Sequence, residues 1–198
     1  MEEPVSRPAI SVRRVRDDEQ RSFTELWMSS RVEAGASPEV AARAASEGRV
    51  AAALTREDVR AYIAVADGRP VGFAVAATSP FSALTEAPCV TIDQLYVVPE
   101  ARKHGVAKQL MGAVSLYADS RGCDQIGCNV PAQDRDANRF FARLGFSSQV
   151  VRRITTVSAL RRRLGAADEQ RQHSLDALLH RRRSLRARAA ASANRLAG

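Results

Sequence analysis

Six consecutive residues, Arg102-Lys103-His104-Gly105-Val106-Ala107, put cations, a glycine and two small apolar residues where the apolar pattern changes period. Gly105 can take a φ that a side chain resists, and Ala107 lets another surface come close. The first amides of a helix have no partner of their own, so they point at whatever occupies the turn before it. With the helix dipole they make an anion site, each charge there worth about 0.3–1 kcal/mol. Arg102, Lys103 and Lys108 add cations to it. The chemistry such a turn offers is a cradle for a phosphate or pyrophosphate. Glycine is also common at ordinary strand–helix junctions, where a basic first turn is simply solvated, and the residues alone leave both readings open.

Two elements must position that turn. Thr91–Val98 is rich in β-branched and apolar residues and closes at Pro99, which cannot extend a ladder. From Val106 onward, Val106, Leu110, Val114 and Tyr117 fall on one helical stripe, with Ala107, Met111 and Ala118 beside it. Gly122 ends that helix, and Gln125–Val130 supplies the next strand.

At 198 residues and 45% apolar content the chain is one domain with an appendage. No run of 18 apolar residues exists to span a membrane. Residues 1–9 are polar, lack the apolar centre of a signal peptide and are expected to be disordered. Cys89, Cys123 and Cys128 form no C-x-x-C pair, so plain thiols in a reducing cytoplasm are expected and no metal. The net charge of +8 is unevenly placed: residues 1–151 hold 18 basic and 19 acidic residues, residues 152–198 hold 12 and 3. Arginine outnumbers lysine 28 to 2 in an alanine-rich chain, a sign of compositional bias rather than of function.

In order, Ile10–Val15 reads as an edge strand, and Asp17-Asp18 opens a helix over Asp18–Glu33. Ser37-Pro38-Glu39 starts a second, alanine-rich helix running to Leu54. Ala61–Ala66 and Pro70–Ala77 flank Asp67-Gly68, a strong hairpin signal. Thr78–Pro88, with two prolines, reads as a loop carrying Phe81 and Leu84. Asp134–Leu144 is a helix, Phe146–Val157 a strand, and beyond Ser158 the pattern is helical, with Leu175, Leu178 and Leu179 on one face before Arg181–Arg183.

Arg102-x-x-Gly105-x-Ala107, preceded by Leu95-Tyr96-Val97-Val98-Pro99-Glu100, resembles the acyl-CoA signature of the GNAT superfamily of N-acetyltransferases. That signature is Gln or Arg, two residues, Gly, one residue, then Gly or Ala. Ala137-Asn138-Arg139-Phe140-Phe141-Ala142-Arg143-Leu144-Gly145-Phe146 resembles the superfamily's later helix ending in Leu-Gly-Phe, and the resemblance extends from about Tyr62 to Phe146. It implies an α/β fold: a mixed, splayed central sheet of about six to seven strands with flanking helices over residues 10–157. A helical, Arg-rich extension over 158–198 follows. It further implies acetyl-CoA as co-substrate, its diphosphate on Arg102, Lys103, His104, Gly105, Val106 and Ala107. Pantetheine would enter as a pseudo-strand beside Leu95, Val97 and Val98, between strands Thr91–Val98 and Gln125–Val130, opened by a β-bulge in the first. The mixed apolar parity of that strand agrees: Leu95 and Val97 on one side, Tyr96 and Val98 on the other. Since the superfamily usually ends with two antiparallel strands, either Phe146–Val157 leaves the sheet one strand short or a second subunit of a homodimer completes the pairing.

The activity implied is transfer of an acetyl group to a primary amine, of a small molecule or a protein, by direct attack in a ternary complex. Asp93 is the only acid on the central strand, and is either the base that takes the amine proton or a hydrogen-bonded strand acid. Trp27 and Met28 lie in helices that help build the acceptor wall in the superfamily, though a core role is commoner for such residues. Phe141 stands where many members have a Tyr near the departing sulfur, and Asp134 where an Asn is frequent. These departures keep a non-catalytic acyl-CoA-binding domain in play. The basic tail adds a third class, an adaptor on RNA, the ribosome or another polyanion, beside a plain docking helix and a membrane-surface helix.

Overall fold

A computed structural model describes residues 9–82, 85–149 and 153–165, without the side chains of 79–87. The chain divides into two compact units, Met1–Phe140 and Phe141–Gly198. The first holds a mixed sheet in the order β1-β2-β3-β4-β5: Ile10–Arg14, Val59–Ala66, Arg69–Ser82, Thr85–Val97 and Gln125–Cys128. Neighbours pair antiparallel except β4 with β5, which run parallel across helix α4, Val106–Ser120.

Sequence chemistry accounts for the joints. Asp67 (φ 49°) and Gly68 (φ 78°) make the two-residue turn between β2 and β3. Glu19 closes a capping box on the backbone of Arg16, at 3.2 Å, and accepts from the Arg13 guanidinium at 2.6 and 2.9 Å. That pair pins the start of helix α1, Gln20–Glu33, to strand β1. Ser37 caps helix α2, Pro38–Ser46, with Pro38 in the first turn. The expected single helix to Leu54 is broken: Gly48 takes φ 71° and a separate helix α3, Arg49–Leu54, follows.

Apolar faces close the layers. Phe23 and Leu26 of α1 pack on Ala61, Ile63 and Phe73, with the Phe23 and Phe73 rings edge to face at 5.0 Å. Trp27 joins this cluster as a partly buried core residue. On the opposite sheet face α4 buries Val106, Leu110, Met111, Val114, Tyr117 and Ala118, the stripe its 3.6-residue period requires, and Tyr117 shares a 2.8 Å hydroxyl bond with Thr78.

Two expectations are corrected. Thr78–Pro88 is no loop: β3 runs on to Ser82 and β4 begins at Thr85. Pro80 lies opposite Pro88, so the missing donors face each other, and a second register shift between Pro80 and Ser82 absorbs the misfit. Phe81 and Leu84, read as overhanging a cleft, lie outside the described side chains. Phe146–Val157 is not the expected strand: residues 147–149 and 153–156 carry none, while 150–152 lie outside the described residues. Ile154, Val157, Leu160 and Leu164 are spaced for a helix rather than for alternation, and residues 157–165 are helical. The sheet therefore has five strands among the described residues, not six to seven.

Helix α5, Arg135–Arg143, starts on Asp134, whose carboxylate accepts from the Ala137 amide at 2.9 Å. In the second unit Phe141 is buried and meets Phe146 edge to face at 5.1 Å, and the Phe146 amide folds back on the Phe141 carbonyl. The tail residues Leu175, Leu178, Leu179 and Arg181–Arg183 lie outside the described residues.

Gly72 shows how closely β3 and β4 approach. A Cβ built there would stand 2.6 Å from the Tyr96 carbonyl oxygen and 3.3 Å from the Val97 Cα. Backbone cannot step aside as a side chain can, so Gly72→Ala should cost about 1–3 kcal/mol. The expected readout is a Tm lowered by about 2–10 °C; an unchanged melting curve would show that the two strands separate freely.

Candidate functional site

The site is built around a fault in β4. Val75 pairs with Gln94 but its neighbour Ala76 pairs with Ile92, so Asp93 is the extra residue of a β-bulge. One added residue flips parity. Ile92 and Leu95, three apart, thereby share the α4 face, while Gln94 and Tyr96 share the α1 face. From Leu95 to Val98 the strand alternates normally, and both parities are apolar because a helix covers each face of the sheet.

The fault coincides with the end of β4–β5 pairing. The ladder runs from Cys89↔Gln125 to Ile92↔Cys128 and stops there, with one further bond of 3.4 Å from the Asn129 amide to the Ile92 carbonyl. Beyond Asp93 the two strands part. The Val98 amide donates to Val71 of β3 at 2.9 Å. Strand alternation therefore turns the amides and carbonyls of Val97 and Leu95 toward the vacated β5 edge. Val98, grouped with them in the sequence reading, spends its amide on Val71 and accepts the Ala101 amide at 3.0 Å.

Past the open edge comes the basic turn. Gly105 sits at the N-terminus of α4 with φ 90°, and Lys103 also has a positive φ, 67°, uncommon for a residue with a side chain. The Arg102 amide is used, bonding to Pro99 at 3.3 Å. Among the described residues, the amides from Lys103 to Lys108 make no hydrogen bond of ordinary geometry. Lys103, His104, Gly105 and Lys108 are exposed around them, with Val106 buried and Ala107 half-buried beneath. No acid lies in the first turn of α4. Nearby, the Asp136 carboxyl is held below its ordinary range by the Arg139 hydrogen bond, with Lys103 and Arg102 adding to the effect.

Among the sequence-predicted residues, the structure thus brings Asp93, Leu95, Val97 and the turn 102–107 onto one continuous stretch of β4, turn and α4. Asp93 is exposed at the bulge and lies in the field that raises the Arg56 guanidinium, after Asp58. Phe141 belongs to the second unit, described above. Arg102 is engaged within the protein. Its guanidinium donates to the Val97 carbonyl at 2.9 Å and to both carboxylate oxygens of Glu33 at 2.6 and 2.7 Å, over the ring of Tyr96. Glu33 was not singled out in the sequence, since 69 residues separate it from its partner and no local pattern joins them.

The thiols offer no nucleophile. Burial pushes Cys128 up from its ordinary value, and burial with the nearby Cys89 does the same to Cys123, so both are protonated at neutral pH. Burial also raises the Tyr96 phenol, with Glu33 adding. Among the described residues no group of three or more His, Cys, Asp or Glu is placed to hold a metal, and no helix is long and apolar enough to cross a membrane.

What the geometry offers is a slot lined by main-chain groups that leads to a patch of unpaired amides under positive charge. Known proteins share the scaffold. An aminoglycoside N(6')-acetyltransferase of Salmonella typhimurium is 30% identical over 95 residues, which are 47% of this chain and 66% of that enzyme. The chain thus spans just under two thirds of that relative's length. A solved aminoglycoside N-acetyltransferase in complex with CoA superposes with a TM-score of 0.62 at 21% identity, over 78% of this chain and 99% of that one. A ribosomal-protein-alanine N-acetyltransferase from Brucella melitensis biovar Abortus gives 0.61 at 19%, over 75% and 99%. At such identities these two likenesses are of fold. The profile of the acetyltransferase (GNAT) family matches residues 12–146, well over half of the sequence, and the chain belongs to that family.

Proposed function

We propose that this protein transfers an acetyl group from acetyl-CoA to a primary amine by direct attack in a ternary complex. The observation that carries the reading is the parting of β4 from β5 at the Asp93 bulge, with the open edge at Leu95 and Val97 running into the free amides of Lys103–Lys108. A pantetheine arm has amide groups of its own and can replace the missing strand. A diphosphate suits the helix N-terminus, with Lys103, His104 and Lys108 around it. The solved relative with CoA and the curated aminoglycoside acetyltransferase support the same donor and an amine acceptor.

When bound, acetyl-CoA supplies an activated thioester; the chain supplies placement and charge. The amine nitrogen forms a bond to the carbonyl carbon, and the carbon–sulfur bond breaks. The transient oxyanion needs a donor, and a main-chain amide on the open edge of β4 can provide one. Most amines are protonated at neutral pH, so a base must first take a proton; Asp93 is the acid on this strand, and the proton passes to it directly or through water. The departing thiolate has an ordinary pKa of about 8.5 and leaves without strong assistance. Holding both substrates in line is then the main source of rate.

The direct test is release of free CoA thiol from acetyl-CoA in the presence of a panel of amines, aminoglycosides and N-terminal peptides included. Acceptor-dependent release is expected; acetyl-CoA that binds but yields no thiol with any amine would leave a binding domain, not an enzyme.

Two variants probe the parts. A Cβ at position 105 meets nothing within 4 Å, so Gly105→Ala brings only the strain of φ 90°. Gly105→Glu adds a carboxylate among the amides. Acetyl-CoA affinity should fall at least tenfold further in the Glu variant than in the Ala variant, measured by calorimetry; equal losses would show that no anion sits there. Asp93→Asn should lower kcat by about 10²–10⁴ while KM for acetyl-CoA holds. An unchanged kcat would remove Asp93 from the chemistry.

A further inference from the structure

We infer that Arg102, the first residue of the glycine-turn motif, is a positioning residue whose guanidinium fixes the Val97 carbonyl and Glu33, so that it shapes the open edge of β4 instead of contacting phosphate. The inference rests on the acetyl-CoA reading above and deepens it. Three observations converge on it. Nε is committed to the Val97 carbonyl at 2.9 Å. One terminal nitrogen bridges both oxygens of Glu33 at 2.6 and 2.7 Å. The guanidinium plane sits 5.9 Å from the Tyr96 ring centroid.

Each contact has a consequence for the slot. Val97's carbonyl faces the vacated edge, where a substrate amide would otherwise find it. With Arg102 bonded to it, the edge offers an incoming arm the Val97 amide and both groups of Leu95. The same cation joins the last residue of α1 to the turn before α4. The segment that packs Phe23 and Trp27 on the sheet is thereby tied to the turn that would hold the diphosphate. The Arg102 and Glu33 side chains are 42% and 43% exposed. A pair so open to solvent does little for global stability. Its effect is local geometry. Lysine, a point charge in place of a planar fork, lacks the separated Nε and terminal donors that reach the strand carbonyl and the carboxylate here.

The test compares two donors on full-length protein: acetyl-CoA, and S-acetylpantetheine, which lacks every phosphate. Dissociation constants and KM are measured for wild type, Arg102→Gln, Arg102→Lys, Glu33→Gln and the Arg102→Gln/Glu33→Gln double variant, with Tm recorded for each. The expected result is a loss of about five- to tenfold in each single variant, the same factor for both donors, and a double variant no worse than the weaker single. Arg102→Lys should fail to restore binding, and every Tm should stay within a few degrees of wild type. Loss confined to acetyl-CoA would make Arg102 a phosphate ligand and overturn the inference. Full binding of both donors by Glu33→Gln, or full rescue by Arg102→Lys, would overturn it too. Wild-type protein that binds neither donor overturns the acetyl-CoA reading along with this one, and is told apart because the loss precedes any substitution.

Discussion

One extra residue in a strand, Asp93, sets the geometry on which the site depends. A parallel ladder holds only while both strands keep the same twist. A bulge bends its strand and increases the local twist. β5, already short and followed three residues later by Pro131, cannot track that bend, and the last paired residue, Ile92, directly precedes the bulge. Buried main-chain groups normally find partners. An edge exposed in the middle of a sheet is therefore a standing demand for hydrogen bonds, which the linear arm of the proposed donor would meet with amides of its own.

Everything else in the first unit keeps that fault in place without healing it. β3 holds β4 on its other side through a long antiparallel pairing, and Gly72 permits contact so close that a methyl group has no room. Above the sheet, Phe23, Leu26, Ile63 and Phe73 anchor α1; below it, the buried stripe of α4 fixes the turn at Gly105 relative to Val97. The functional groups of the proposed donor site are consequently main-chain groups held by packing. Side chains there supply charge and shape, which suits a superfamily whose members differ widely in sequence while sharing the fold.

The parts legible in the sequence were those written in local chemistry. Period change at Val106, Asp67-Gly68 and the cap at Ser37 each report on residues a few positions away. Where the structure departed, a distant partner or a competing local preference decided. Pro80 and Pro88 suggest a loop until they are seen opposite each other in a hairpin, where neither costs its neighbour a donor. Ile154 and Val157 suggest a strand by type, but their spacing continues into the helix at 157–165. The partner of Arg102 could not be read locally, because nothing near it in sequence is acidic except Glu100 and the acid it bonds lies at the end of α1.

That last case bears on how the motif works. A cation close to a proposed phosphate site is easily taken as a ligand, yet Nε and one terminal nitrogen of this guanidinium are already given to Val97 and Glu33. Lys103, His104 and Lys108 remain exposed about the amides and can serve without any rearrangement. In the proposed reading charge and geometry are divided: neighbouring side chains and the dipole of α4 would attract the diphosphate, while Arg102 would keep the strand edge in register with the turn. In the proposed reaction both ends of the donor then depend on one short segment. Asp93 lies exposed at the same bulge that ends the β4–β5 ladder, so one extra residue in β4 accounts for both the open edge and the exposed acid beside it.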